Sequence, residues 1–289
     1  VSLGWKHQLY VDASARNDWS STIHDAFFYP SVSLSWIPTE SFPELTNDIF
    51  SFWKLRGGIA QVGSATSAYR NSYYYYPESS YAPSHNGVSL MHKSYTYPNE
   101  DLKPEKVTTW EIGTEIGLLN NRLHLDLAYY QKKTEDQILS VTTSNVVGFS
   151  SMLVNAGRID NKGVELQLKG DVLQNKEGLN WTSTLNFSKD RSEVKSLYEG
   201  LNTYNIGWTW GIGTYATVGE KWGDLMGTGY NRVTEEDVTK GTATSDQIGA
   251  VKVNSSGAPY QASSQKLGNV TPDFLMGWRN DFAIKQFGF

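Results

Sequence analysis

Four carboxylates, Glu111, Glu115, Asp126 and Glu165, lie in stretches where polar and apolar residues alternate. Paired carboxylates perform glycoside hydrolysis when a few ångströms separate them. Glu111 and Glu115 are four residues apart on one extended run, about 13 Å at the rise of a strand, too far for either glycosidase geometry. All four fall on the polar side of their runs, where charge is simply wetted. The five histidines (His7, His24, His85, His92 and His124) form no His-Glu-x-x-His pattern and no close pair, and read as solvated surface. With no cysteine there is no disulfide framework and no Cys-based metal site. Gly211-x-Gly213-x-x-Ala216 imitates a dinucleotide fingerprint, but it follows Trp208-Thr209-Trp210 and opens no helix, so these are loop glycines. No Gly-x-Ser-x-Gly element or phosphate loop is present. The chain reads as a non-enzyme with neither cofactor nor metal.

Binding chemistry is better represented. The 289 residues include 10 Trp, 17 Tyr and 11 Phe. Tyr and Trp join an apolar body to a polar tip and favour half-wet places. One long connection carries Tyr73, Tyr74, Tyr75 and Tyr76, then Tyr81, Tyr95 and Tyr97; another carries Trp208, Trp210, Tyr215 and Trp222. Tyr73, Tyr74, Tyr75, Tyr76, Trp208 and Trp210 are the candidate ligand-binding residues, since aromatic faces pack on sugar C–H surfaces while phenols hydrogen-bond. The same rings equally fit packing of the loops against each other or against a lid protein.

The elements that would position these residues have a period of two, not 3.6. Thr108, Trp110, Ile112, Thr114, Ile116 and Leu118 alternate with Thr109, Glu111, Gly113, Glu115 and Gly117. Across Leu119-Asn120-Asn121, Leu123, Leu125, Leu127 and Tyr129 then alternate with His124, Asp126, Ala128 and Tyr130. Together they read as a hairpin. Similar runs around residues 9–16, 31–36, 53–59, 164–169, 180–187 and 274–284 bring the count to eight strands, with a partial one near 1–6. The connections expected between them are 18–28, 38–51, 64–107, 119–121, 134–157, 171–179 and 190–272. From 64–107 onward they alternate long and short. In an up-and-down meander every second connection lies at the same end, so one end has tight turns (38–51, 119–121, 171–179) and the other has long excursions (18–28, 64–107, 134–157, 190–272). That is the asymmetry of outer-membrane barrels, whose turns are periplasmic and whose loops are extracellular. Net charge −5 gives no reason to expect nucleic acid, and no stretch approaches 18 consecutive apolar residues. A soluble β-sandwich also alternates, so each strand alone decides little.

Specific motifs add a family. The stretch from Asn99 through Leu102-Lys103-Pro104-Glu105 and Thr108-Thr109-Trp110-Glu111 to Gly113 resembles a hallmark of the SusC/RagA family of TonB-dependent outer-membrane transporters. Asn155-Ala156-Gly157-Arg158-Ile159-Asp160-Asn161-Lys162-Gly163-Val164-Glu165-Leu166 resembles that family's most recognisable segment. Tyr29-Pro30-Ser31-Val32-Ser33-Leu34-Ser35-Trp36, Lys54-Leu55-Arg56-Gly57-Gly58 and Gly268-Asn269-Val270-Thr271-Pro272-Asp273-Phe274 fit in order. The resemblance implies an all-β fold: about 8–10 antiparallel strands, residues 1–289, from the middle to late part of a probable 22-stranded transmembrane barrel, without the plug. It departs in one place. Family members often carry an acidic loop before the Gly-Asn…Thr-Pro element, whereas Val251–Pro259 has no carboxylate, so no calcium site is expected.

The resemblance also implies a bacterial outer-membrane location and import of oligosaccharides or peptides. The implied partners are a SusD-like lipoprotein lid, TonB acting through an N-terminal region, and outer-membrane lipid. The alternative is a soluble β-rich carbohydrate-binding or adhesin module. A secreted hydrolase ranks last for want of a catalytic constellation.

Overall fold

A computed structural model describes residues 1–77, 84–175, 177–285 and 287–288. It divides into two units, residues 1–200 with 273–289, and residues 201–272.

In the first unit, β1 (Ser2–Trp5), β2 (Leu9–Ser20), β3 (Ile23–Trp36), a helical turn α1 (Pro38–Ser41) and β4 (Phe50–Ser64) come first. The short strands β5 (Tyr75–Pro77), β6 (Met91–Lys93) and β7 (Thr96–Tyr97) follow. Next are β8 (Glu105–Leu118), β9 (Leu123–Glu135), β10 (Ile138–Thr142), β11 (Ser151–Asn155), β12 (Arg158–Leu173) and β13 (Leu179–Ser196). In the second unit, β14 (Thr203–Thr209), β15 (Ile212–Thr217), β16 (Asp224–Tyr230), α2 (Glu235–Thr239) and β17 (Gln261–Asn269) follow in order. The chain then returns to the first unit with β18 (Leu275–Ile284) and the two-residue β19 (Phe287–Gly288).

The main sheet has the order β1-β2-β3-β4-β8-β9-β12-β13-β18-β19, every pair antiparallel. Its register explains the alternation. Trp53, Ile116, Leu125, Leu168, Leu185 and Trp278 stand side by side on one face. So do Trp36, Leu55, Thr114, Leu127, Leu166, Phe187 and Met276. On the other face Lys54, Glu115, Asp126, Gln167 and Asn186 form a row. Leu125, Leu166 and Leu185 remain half-exposed, unlike the inward side chains of a sandwich, which the second sheet covers. The apolar band runs along β8 from Trp110 to Leu118, about 27 Å of strand and about 20 Å in height after the usual barrel tilt. Only a sheet that satisfies its own backbone groups can present such a face to lipid.

Buried apolar side chains gather elsewhere. Leu139, Val141, Leu153 and Val154 belong to β10 and β11, and Leu102, Ile159 and Val194 lie at the same end of the strands. β10, β11 and β7 form a small sheet in which β7 runs parallel to β11.

The connections differ from the expected boundaries in informative ways. Residues 18–28, expected as a long loop, are mostly strand: β2 and β3 pair as far as Ser20 and Ile23, leaving a turn at 21–22. The ladder continues past the lipid-facing band, where the polar run Asn17, Asp18 and Ser20 on β2 ends the alternation. The 190–272 excursion begins only after Ser196 and contains the four-stranded antiparallel sheet β14-β15-β16-β17. The 134–157 connection holds the β10–β11 hairpin. At the tight end, Leu119, Asn120 and Asn121 all take left-handed φ (55°, 55° and 61°), a conformation that Asn tolerates and Leu seldom adopts. Leu119 N–H donates to Ile49 O at 2.7 Å, and Arg122 Nη2 to Asp171 O at 2.9 Å, tying three turns of that end together.

Candidate functional site

On the polar face of the main sheet, Arg56 connects three strands. Its Nη2 lies 2.8 Å from Asp126 Oδ1 on β9 and its Nε 3.4 Å from Glu111 Oε1 on β8. To reach Asp126 the guanidinium crosses Gly113, where a β-carbon would stand 2.8 Å from Arg56 Cζ. Tyr130 repeats this arrangement two strands along. Its ring lies across Gly163 of β12, and its hydroxyl donates to Asp190 Oδ1 on β13 at 3.1 Å. Asn161 Nδ2 donates to the other oxygen of Asp190 at 3.2 Å. Glycine here is a low point over which a long side chain lies flat. Lys54 adds an ion pair with Glu115 at 3.7 Å. Three of the carboxylates noted in the sequence, Glu111, Glu115 and Asp126, are thus held by cations in a wetted wall, beside a hollow of about 490 Å³ lined by Arg56, Asp126, Glu165, Gln167 and Asn186. Their partner Arg56 was legible only as part of a motif, because pairing it with Asp126 requires the register of three strands.

The two family-like motifs meet at the long-connection end. Asn155 Nδ2 donates to Lys103 O (2.7 Å) and Asp136 O (2.9 Å), while its Oδ1 accepts from Lys103 N–H at 2.7 Å. Asn99 Nδ2 donates to Leu153 O at 3.0 Å, and Asn99 exchanges two 2.7 Å bonds with Asn71. Glu105 Oε1 accepts from Ile138 N–H at 2.8 Å. Gly157 holds φ +90°, with Ser196 O only 3.2 Å from a notional β-carbon, so the entry to β12 requires glycine.

This platform carries the tyrosines. Tyr69, Tyr74, Tyr76, His92 and Tyr95 form a chain of ring contacts, with His92 stacked between Tyr76 (5.8 Å) and Tyr95 (4.9 Å). Tyr73, Tyr97 and Phe149 form a second group, with Lys93 Nζ 4.2 Å above the Phe149 ring. Tyr73, Tyr74 and Tyr76 therefore each meet other rings of the loops, although Tyr73 and Tyr76 remain exposed. Tyr75 points away on β5 and is 71% exposed. Tyr81 lies outside the described residues.

In the second unit, Trp208 and Trp210 occupy the β14–β15 hairpin. Trp208 is 62% exposed; Trp210, at the tip with φ +45° before Gly211 at φ +87°, is 98% exposed. Tyr215 and Trp222 are half-buried. The carboxylate of Asp224, 3% exposed as a residue, is held by Lys266 Nζ at 2.6 Å and Asn269 Nδ2 at 2.8 Å. Hydrogen bonds from Lys266 to Asp224 and then to Glu220 (2.9 Å) raise the Lys266 pKa. In the 231–260 excursion, Asp237 accepts from Lys252 Nζ (2.6 Å), Thr234 N–H (2.7 Å) and Thr234 Oγ1 (2.8 Å). Lys252 foremost, then Thr234, holds the Asp237 carboxyl down at about 2.

A two-faced antiparallel sheet with a lipid-height apolar band and a charged opposite face defines a membrane β-barrel wall. Residues 1–279 match the family model described as TonB dependent receptor-like, beta-barrel, and the chain belongs to that family. That family places the chain in the outer membrane. TonB-dependent receptor P3 of Formosa agariphila is 29% identical over 95% of this chain and 29% of its own length. TonB-dependent receptor SusC of Bacteroides thetaiotaomicron is 29% identical over 60% of this chain and 17% of its own. The structure titled RagAB peptide importer in the "open-open" state superposes with TM-score 0.75 over 99% of this chain and 30% of its own, at 24% identity. The chain thus spans about 30% of the length of the first curated relatives it matches.

Proposed function

We propose that this chain forms part of the barrel wall and extracellular rim of a TonB-dependent importer that carries oligosaccharides, or alternatively peptides, across the outer membrane. One observation carries the reading: the family match over residues 1–279 falls on a sheet whose register sorts apolar and charged residues onto opposite faces. The physical task is to move a polar solute through an apolar slab. The apolar face sits in lipid, and the Arg56–Asp126 and Tyr130–Asp190 rows line a wet interior against a plug. The long connections, with Tyr73, Tyr74, Tyr75, Tyr76, Trp208 and Trp210, form the rim that meets cargo and a SusD-like lipoprotein lid. Tyr75, Trp208 and Trp210 offer the open ring faces suited to sugar.

The test is mild extraction of the full-length receptor from outer membranes, followed by mass analysis of what co-elutes. A surface lipoprotein and a bound oligomer are expected. A receptor that elutes alone and empty, from cells whose growth on glycans and peptides is unchanged by its deletion, overturns the proposal. Tyr75→Ala with Trp208→Ala separates cargo contact from packing: loss of cargo with the lipoprotein retained assigns these rings to cargo, and unchanged cargo removes them from it.

A further inference from the structure

The apolar face ends in a group of cations for which the importer reading has no use. Lys162 on β12 and Arg191 on β13 are direct cross-strand partners, which places their β-carbons about 5 Å apart. Lys189 lies two residues from Arg191 on the same face, about 7 Å along the strand. All three are exposed. Like charges set directly opposite each other destabilise a sheet, so this arrangement needs a compensating anion. Among the described residues none of the three has a carboxylate within 4 Å. The acids above them are already engaged: Asp160 with Arg158 at 2.8 Å, and Glu193 with Lys195 at 2.6 Å.

Their height on the barrel is informative. Lys162 and Arg191 continue the cross-strand row of Ile59, Trp110 and Gln131. Lys189 continues the row of Ile112, Tyr129 and Val164. The Trp110 and Tyr129 rings touch at 5.4 Å on one side of the patch, and Phe187 stacks on Phe274 at 5.9 Å on the other. Trp and Tyr mark the headgroup level of a bilayer. The cations therefore stand on the lipid-facing surface, at the upper edge of its apolar band, on the side of the long connections.

We propose that Lys162, Lys189 and Arg191 bind the phosphate groups of a membrane lipid in the leaflet on that side. Charge complementarity selects the headgroup, since Arg and Lys bind phosphate oxygens through charge-assisted hydrogen bonds. The flanking aromatic pairs and the apolar band beneath accept its acyl chains. The inference rests on the barrel's outer-membrane placement and is independent of what the barrel transports.

The experiment is native mass spectrometry of the full-length receptor in detergent, titrated with bisphosphorylated lipid A, with its dephosphorylated form, or with inorganic phosphate alone. Wild type is expected to retain the phosphorylated lipid over both other probes. Each single Gln substitution is expected to weaken retention about fivefold, and K162Q/K189Q/R191Q together about a hundredfold. K240Q, a cation far along the chain at the C-terminal cap of α2, leaves retention unchanged. Heat-modifiable migration confirms that each variant still forms a barrel. Equal retention by the triple variant and wild type, or equal retention of phosphorylated and dephosphorylated lipid by wild type, overturns the proposal. Binding of inorganic phosphate as tight as that of lipid also overturns it. Cargo uptake is read separately, so failure here leaves the importer reading standing.

Discussion

Gly163 is the residue that lets Tyr130 reach Asp190. A β-carbon there would stand 2.5 Å from the Tyr130 hydroxyl and ring. Gly163→Val is expected to lift the ring off β12, break the 3.1 Å bond to Asp190 and lower barrel stability by about 1–3 kcal/mol, read as earlier unfolding in heat-modifiability gels. At Gly170 of the same strand a β-carbon meets only Leu123 Cδ1, at 3.5 Å, and Gly170→Ala is expected to leave the transition in place. Asp237 gives a pH prediction. Its folded pKa, about 2, lies below the ordinary 3.8, so its contribution is fully present above about pH 4 and is lost as pH falls towards 2. Pepsin cleavage within 231–260 is expected to rise through that window in wild type. In Asp237→Asn it should be high at every pH, without that step.

At the scale of elements, the family-like motifs act as staples between loops. Asn155→Ala removes three hydrogen bonds to Lys103 and Asp136 and is expected to cost about 2 kcal/mol. Hydrogen exchange should increase in residues 99–104 and 136–156 while the strands of the main sheet stay protected; unchanged exchange would remove the staple role. The sequence made the main strands legible wherever one face is apolar, as in β8 and β9, because period two then follows from burial. It fell silent where strands run past the lipid into water. Asp18, Ser20 and Thr22 look like loop residues although backbone pairing continues to Ser20 and Ile23. The sheet of β14–β17 was hidden for another reason. Its strands are short, carry Gly207, Gly213, Gly227 and Gly229, and include register shifts near Asn205, Leu225 and Gly227, all of which blur alternation. The aromatic candidates were visible as a cluster, but which rings pack together and which stand open depended on pairings such as Tyr76 with His92.

For the molecule as a whole, the governing fact is an open sheet. Among the described residues β1 pairs only with β2, and beyond the stub β19 the far side of β18 has no partner. Unpaired edges beside a wide apolar face favour edge-to-edge association. Residues 1–289 produced alone are expected to aggregate in water and to give no heat-modifiable band in detergent, whereas the full-length receptor gives one. A monodisperse, water-soluble product would revive the alternative of a soluble binding module.

The hairpin tip has a use of its own. An indole with 98% of its surface in water, on a backbone at φ +45°, emits at the red end of the tryptophan range and is readily quenched by iodide. Trp210→Phe should therefore remove a red shoulder from the emission spectrum. Anything that settles on the tip, whether glycan, peptide or lid, should turn that shoulder blue and shield it from the quencher, so the protein carries an optical sensor of its own occupancy.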